Sequence, residues 1–157
     1  SRHAQEIQVI LAGKGPLEKK YRKLAEKLPN PIVMSFYEPA RLLEILHMAD
    51  LYVHTSDAEI EAMSCMEAFA CGLVPVIADS PRSATPQFAL DERSLFPAGD
   101  TDALAARIDW WIEHPEERRE MELRYAEHAR QYSLEASIRK TEEMFRQAIA
   151  EQRGARA

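Results

Sequence analysis

The chain has 157 residues, 46% hydrophobic and 29% charged, which is ordinary for a single globular domain with its own core. Its net charge of −6 argues against general nucleic-acid binding. No apolar run reaches the roughly 18 residues of a membrane-spanning helix, and residues 1–6 contain no signal-peptide core. Cys65 and Cys71 give neither a disulfide framework nor a zinc ligand set. We expect both to be half-buried reduced thiols in a cytoplasmic protein.

Short apolar, β-branched runs alternate with helical patterns through the first half of the chain. Four such runs predict strands, at 7–12, 32–36, 51–54 and 74–78. The segments between them predict helices, at 17–28, at 40–48 and in a short stretch that Gly72 ends. This order indicates βαβ units with right-handed crossovers, and therefore an α/β fold with a Rossmann-like open parallel sheet and helices on both faces. Ligands of such sheets lie beyond the carboxyl ends of the strands, where the loops are 13–16, 36–39 and 55–62.

The second half of the chain has a different character and predicts extra C-terminal helices. After the polar loop 79–86, a short strand is predicted at 94–96. A helix follows that Asp100 or Thr101 caps, in which one of the two adjacent tryptophans packs inside and the other is half-exposed. The next helix runs from Pro115 to about Gln131. We predict one domain over residues 1–152 and a frayed tail over 153–157.

Two predicted helices have apolar residues along one side. On the first helix this face consists of Leu17, Tyr21, Leu24 and Leu28. The last helix is capped by Ser133, and its apolar side consists of Leu134, Ile138, Thr141, Phe145 and Ala148.

Two glutamates at the start of the third helix, Glu59 and Glu67, allow three interpretations. As a glycosidase pair on one helix they would stand about 12 Å apart, beyond the roughly 5–9.5 Å that such enzymes need, although a loop position for Glu59 would shorten the distance. Alternatively, Glu67 completes a capping box with Ser64. Third, a helix entered from a strand-end loop offers unpaired N–H groups to phosphates, and carboxylates accept hydrogen bonds from sugar hydroxyls. We favour this nucleotide-sugar site.

Other polar residues near the predicted ligand edge give weaker signals. Gly13-Lys14-Gly15 follows a strand and is either a phosphate-binding loop or a plain tight turn, since it lacks the full dinucleotide fingerprint. His47 and His54 are either a catalytic base or hydrogen-bonded structural histidines. No spacing of histidine, cysteine or carboxylate residues predicts a metal site.

Three motifs in order resemble the signature of the retaining glycosyltransferases of family 4, which have the GT-B fold. Residues 9–16 (VILAGKGP) match the family's strand-Gly-x-Gly-Pro segment. Residues 49–56 (ADLYVHTS) match its Ala-Asp-aliphatic-x-Val-x-x-Ser segment. Residues 59–77 (EIEAMSCMEAFACGLVPVI) match its glutamate, seven residues, glutamate pattern, which leads through a glycine into a Val-Ile strand. The resemblance spans nearly the whole chain and implies the C-terminal, donor-binding half of a GT-B enzyme.

The resemblance implies roles at the matching positions of this chain. Glu67 would bind the ribose hydroxyls of the nucleotide, and Glu59, the implied catalytic residue, would meet the transferred sugar near its 3-hydroxyl. The remaining implied donor-binding residues are Gly13, Gly15, Phe36, Tyr37, Ile60, Glu61, Ala62 and Met63. Among these, the 60–63 backbone would face the sugar and diphosphate, and the 36–37 loop would lie by the base. Members of the family use a UDP-, GDP- or ADP-sugar, retain the anomeric configuration and need no metal or other cofactor.

The chain departs from the family pattern at two points. Glu61-Ala62 stands where many members have Phe-Gly. The family's diphosphate-clamping Arg and Lys precede the Gly-x-Gly-Pro strand, on a first strand and helix that this sequence does not contain. We therefore expect a donor domain that is inactive alone, with the acceptor bound by an N-terminal domain.

Residues 80–85 (SPRSAT) and 87–96 (QFALDERSLF) resemble a narrower branch, the bacterial lipid α-glucosyltransferases that act on diacylglycerol or cholesterol. This resemblance implies UDP-glucose as donor, a lipid or saccharide acceptor, and peripheral association of the full-length protein with the cytoplasmic face of a membrane. The alternatives are a non-catalytic nucleotide-binding or scaffold domain with the same fold, and a GT-B epimerase or phosphorylase.

Overall fold

Five short parallel strands form two sheets in the computed structural model, which describes residues 1–154. The first sheet pairs β1 (Ile10–Ala12) with β2 (Val33–Ser35), so that Ile10 lies opposite Val33. The second has β4 (Val74–Asp79) between β3 (Leu51–His54) and β5 (Leu95–Pro97). The predicted α/β fold with parallel strands is confirmed, but the single open sheet that we expected is divided in two.

Both strands of the first sheet are shorter than the apolar runs that predicted them. β1 has three residues, all of them exposed, although the apolar run begins at Ile7. Upstream of β1, the carbonyl of Ile7 accepts a hydrogen bond from the side chain of Asn30 instead of from a neighbouring strand. A strand with little burial gains little from extension, which explains the late start of β1.

Six helices alternate with or follow the strands. Their bounds are α1 Glu18–Ala25, α2 Pro39–Met48, α3 Met63–Ala70, α4 Thr101–Glu113, α5 Pro115–Ala129 and α6 Leu134–Gly154. Asp100 caps α4 by accepting from the N–H groups of Asp102 and Ala103, and Ser133 caps α6 by accepting from the N–H of Ala136. Gly72 has φ 79°, a left-handed conformation that suits glycine at a helix end. The predicted caps and the glycine stop are therefore confirmed.

The core lies around β4, whose first five residues are all buried. Phe69 of α3, Trp111 of α4 and Tyr125 of α5 pack in the same cluster and are fully buried. The ring of Phe69 lies 5.1 Å from that of Tyr125, centroid to centroid, and the Tyr125 hydroxyl accepts a hydrogen bond from the N–H of Leu90. A central strand covered on both faces requires the near-continuous apolar sequence that β4 has. The prediction of one buried and one half-exposed tryptophan is also correct, since Trp110 is only partly buried.

Two predicted apolar helix faces are exposed, and one burial prediction is wrong. The predicted apolar face of α1 is 45–50% exposed at Leu17, Tyr21, Leu24 and Leu28, and Ile138 and Phe145 of α6 are 50% and 59% exposed. Neither helix contributes a residue to the core, because β4 is covered by residues of α3, α4 and α5. Cys65 is fully buried and not half-buried, because it faces the core from the inner side of α3.

The C-terminal end of the chain is helical further than predicted. Helix α6 continues to Gly154, so the first two residues of the predicted tail belong to it, and residues 155–157 lie outside the described part of the chain. Within residues 1–154, no helix combines the length and the apolar character that a membrane span requires.

Candidate functional site

The loop after β3 and the first turn of α3 form an exposed polar edge. Ile60 and Met63 are 85% and 60% exposed, and Glu61 and Glu67 are exposed as well. The first hydrogen-bonded N–H of the helix is that of Cys65, which donates to the carbonyl of Ala62. The N–H groups of Met63 and Ser64 therefore precede the intrahelical ladder and are available to an anionic ligand.

Glu67 does not form the capping box that its spacing allowed. Helix α3 begins at Met63, so Ser64 lies inside the first turn, and its hydroxyl accepts a hydrogen bond of 2.8 Å from the Tyr52 hydroxyl. Within residues 1–154, the Glu67 carboxylate has no hydrogen-bond or ion-pair partner. An exposed carboxylate without a partner in the chain is free to accept hydrogen bonds from a bound ligand.

Glu59 lies in the loop before α3 and is held by its backbone. Its N–H donates to the carbonyl of Arg82 (3.3 Å), and its carbonyl accepts from the N–H of Ala84 (2.9 Å), which forms a parallel bridge to Ser83. One carboxylate oxygen, Oε1, accepts from the N–H of Ile60 at 3.0 Å. Because Glu59 is not on the helix, the helical spacing that argued against a carboxylate pair does not apply to it.

The other two strand-end loops meet each other. The N–H of Gly13 donates to the carbonyl of Ser35, Gly15 accepts from the N–H of Glu18, and the Lys14 amine lies 4.7 Å from the centre of the Phe36 ring. Phe36 is 55% exposed, and Tyr37 is partly buried beside it. These contacts join the two loops to each other, and among the described residues no hydrogen bond or ion pair joins either loop to residues 55–67. The structure thus groups the predicted donor residues into two sets.

His54 belongs to a buried network beneath α3. It is 7% exposed, and its Nδ1 lies 3.1 Å from the Tyr52 hydroxyl, which donates to Ser64. Because a tyrosine hydroxyl has one hydrogen, Nδ1 carries the proton and donates to Tyr52. Burial lowers the pKa of His54, against an opposing effect of the Glu59 charge. Of the two interpretations of this histidine, the geometry favours the structural one.

The other candidates for a reactive side chain are His47 and Cys65. His47 bonds through Nδ1 to the carbonyl of Leu43, one turn earlier on α2. Burial raises the pKa of the Cys65 thiol to about 12, which leaves it protonated and unreactive. No cluster of three or more His, Cys, Asp or Glu that could hold a metal ion occurs in the described part of the chain.

Sequence reasoning gave no role to Asp57 and Ser80. The structure places them in the two loops that meet at Glu59, and they contact each other. The Ser80 hydroxyl contacts both the carbonyl and the carboxylate of Asp57. Both residues follow adjacent parallel strands, β3 and β4, at their carboxyl ends. That adjacency is the signal that would have found them, since polar residues at these positions converge on one edge of a sheet.

Comparison with known proteins agrees with this architecture. The family profile described as glycosyl transferases group 1 matches residues 1–131. The chain belongs to this family. The structure of the catalytic domain of cholesterol-α-glucosyltransferase from Helicobacter pylori is 50% identical to it, with a TM-score of 0.81 over 85% of this chain and 84% of that one. The fold is that of a GT-B glycosyltransferase domain.

A curated relative extends the comparison within the glycosyl transferases group 1. The chain is 31% identical over 130 residues to EpsD of Bacillus subtilis (strain 168), which is named as a candidate glycosyltransferase. The match covers 77% of this chain and 34% of EpsD, so the chain spans about a third of the length of that relative.

Ala62 enters α3 in a left-handed conformation, with φ 48° and ψ 58°. Such a conformation costs an alanine roughly 1–2 kcal/mol, and glycine avoids the cost. We expect Ala62→Gly to destabilise the chain by about 2 kcal/mol less than Ala68→Gly, because Ala68 lies inside the helix, where glycine is unfavourable. Both substitutions remove a buried methyl group, so Ala68→Gly is a matched control. Urea unfolding measures the difference, and equal losses would contradict the strained entry.

Acid should weaken the fold in part through His54. Its pKa in the folded chain lies below the 6.5 of an unfolded histidine, so the unfolded state binds the proton first as the pH falls. The stability that neutral His54 contributes is therefore complete above pH 6.5 and is lost as the pH falls towards the lower folded pKa. We expect His54→Gln to lose less stability than the unmodified chain between about pH 7.5 and about pH 5.5 in urea unfolding. Identical losses would show that His54 does not titrate in this way.

Proposed function

We propose that the chain is the donor-binding domain of a retaining glycosyltransferase and that it binds a UDP-sugar, UDP-glucose above all. The observation that carries the proposal is the pair of glutamates at one edge of the fold. Glu67 is exposed on α3 and has no partner among residues 1–154, and Glu59 is fixed by its backbone in the loop before the helix. Family membership supports this assignment of the edge, since a transferase of this family requires a donor site.

In this proposal the two carboxylates have separate tasks. Glu67 accepts hydrogen bonds from both ribose hydroxyls, as an ionised carboxylate with two oxygens can. Glu59 accepts from the sugar near its 3-hydroxyl and holds the anomeric carbon in place for transfer. The backbone from Ile60 to Met63 faces the sugar and the diphosphate, and the N–H of Met63 at the start of α3 stabilises the negative charge that develops on the departing diphosphate. The exposed ring of Phe36, with Tyr37 and the Gly13–Gly15 loop, would receive the base.

The acceptor is proposed to be a lipid, bound by a further domain. Support comes from the similarity to a protein titled as a cholesterol-α-glucosyltransferase, at 50% identity, and from the 80–96 region that resembles lipid α-glucosyltransferases. A lipid acceptor would place the reaction at the cytoplasmic face of a membrane. The glucose of UDP-glucose is α-linked and the proposed product is also α-linked, so the transfer would retain the anomeric configuration. No metal is proposed to take part.

Donor titration tests the proposal at its first step. Calorimetry with UDP-glucose, GDP-glucose and ADP-glucose should give the tightest binding for UDP-glucose. Equal affinities for the three donors would contradict the assignment of uracil as the base. Transfer is then assayed in the protein that contains both domains, with labelled UDP-glucose and vesicles that contain cholesterol or diacylglycerol. An α-linked glucolipid by NMR is the expected product. Release of epimerised nucleotide-sugar or of glucose 1-phosphate would instead indicate an epimerase or a phosphorylase.

A further inference from the structure

Two loops lie side by side behind the proposed sugar site, residues 57–59 after β3 and residues 80–84 after β4. They are joined by two backbone hydrogen bonds at Glu59, one from its N–H and one to its carbonyl. The position of the Glu59 carboxylate therefore depends on the position of the second loop. None of the proposed donor contacts involves residues 80–84.

Ser80 is the buried contact between these loops. It is 2% exposed, and its hydroxyl lies 2.6 Å from the carbonyl of Asp57 and 2.8 Å from the Oδ1 of the same residue. It also accepts from the N–H of Arg82 at 3.2 Å. One hydroxyl thus links the Asp57 backbone, the Asp57 side chain and the turn that carries the partners of Glu59.

The ion pair between Asp57 and Arg82 joins the same loops, but it is exposed. The side chain of Asp57 is 55% exposed and that of Arg82 is 68% exposed, and exposed pairs contribute little because water screens them. A buried hydroxyl is different, since its removal leaves the carbonyl of Asp57 without this donor. The buried serine, rather than the ion pair, should therefore hold the two loops in register.

We propose that Ser80 is a positioning residue for sugar recognition: through Asp57 it fixes the loop from which Glu59 reaches the transferred sugar. The proposal rests on the proposed function, in which Glu59 contacts the sugar and Glu67 the ribose. It follows that Ser80 affects the part of donor affinity that comes from glucose and not the part that comes from UDP. A residue that only stabilises the fold would change both parts together.

The experiment compares the affinities for UDP and for UDP-glucose by calorimetry and takes their ratio as the sugar contribution. We expect Ser80→Ala to reduce this ratio by about fivefold to tenfold, the effect of one lost hydrogen bond, while the amides of Glu59 and Ala84 exchange faster with solvent. Ser83→Ala is the matched control, because its hydroxyl contacts Thr85 and not residues 57–59. If Ser80→Ala does not fold, Ser80→Cys keeps the shape with a weaker donor and should change the ratio in the same direction.

The outcomes separate the two proposals. If Glu59→Gln lowers the ratio and the Ser80 variants do not, the role of Ser80 is wrong and the proposed function stands. If the Ser80 variants weaken UDP and UDP-glucose equally, Ser80 is merely structural, which also overturns the inference. If Glu59→Gln leaves the ratio unchanged, the sugar contact of Glu59 is wrong, and the inference about Ser80 fails with it.

Discussion

Replacement of Trp111 by alanine is expected to lower the free energy of unfolding by about 3–5 kcal/mol. Trp111 is fully buried in the cluster that surrounds β4, together with Phe69 and Tyr125. Truncation removes its hydrophobic burial and leaves a cavity that the neighbouring elements cannot close completely. Since a domain of this size is stable by only about 5–15 kcal/mol, the variant should be near the limit of folding. Urea unfolding followed by far-UV circular dichroism measures the loss.

Trp110→Ala provides the control for this prediction. Trp110 is the next residue on α4, only partly buried, with its ring stacked on that of His114 at 4.1 Å and the Arg93 guanidinium 4.3 Å from its centre. These contacts lie at the surface and are not enclosed, so a smaller loss, about 1–2 kcal/mol, is expected. If Trp110→Ala costs as much as Trp111→Ala, the assignment of the core to the inner face of α4 is wrong.

Loss of the Glu67 charge should have the largest effect on ligand binding. We expect Glu67→Gln to weaken UDP binding by about 10- to 100-fold, which corresponds to the roughly 1.5–3 kcal/mol of a hydrogen bond to a charged group. Stability should be unchanged, because within residues 1–154 the carboxylate has no partner to lose. Calorimetric titration with UDP measures the affinity, and urea unfolding measures the stability.

Glu143→Gln makes the same change of charge at an exposed position on α6 and should bind UDP normally. An equal loss of affinity in both variants would indicate a long-range charge effect instead of a ribose contact. Unchanged affinity in Glu67→Gln would remove Glu67 from the donor site and leave its exposure on α3 without a functional explanation.

Elements with a strong local signal were predictable from the sequence. Strands β3 and β4 were placed within one residue of their observed ends, because continuous apolar runs bounded by polar loops describe buried parallel strands well. The caps at Asp100 and Ser133 and the stop at Gly72 were likewise correct, since each depends on the chemistry of one or two residues.

Features that depend on distant parts of the chain were not predictable. The capping box of Glu67 failed because α3 starts at Met63 in a left-handed turn at Ala62, and spacing alone does not reveal that turn. The apolar face of α1 satisfies the helical pattern, yet whether another element covers it depends on tertiary packing. The contacts of Ser80 with Asp57 join residues 23 positions apart, which only the parallel pairing of β3 and β4 brings together. The donor roles of the glutamates remain predictions from family resemblance.

The separation of the strands into two sheets affects how the chain opens. Amides on β4 are enclosed on both faces, so their hydrogens become accessible to solvent only when the whole core comes apart. The pair β1–β2 consists of three-residue strands, with β1 entirely at the surface, and can open without disturbing that core. We therefore expect the two sheets to behave as separate cooperative units of different local stability in hydrogen exchange. The loops of Gly13 and Phe36 belong to the less stable unit, whereas Glu59 and Glu67 are attached to the more stable one.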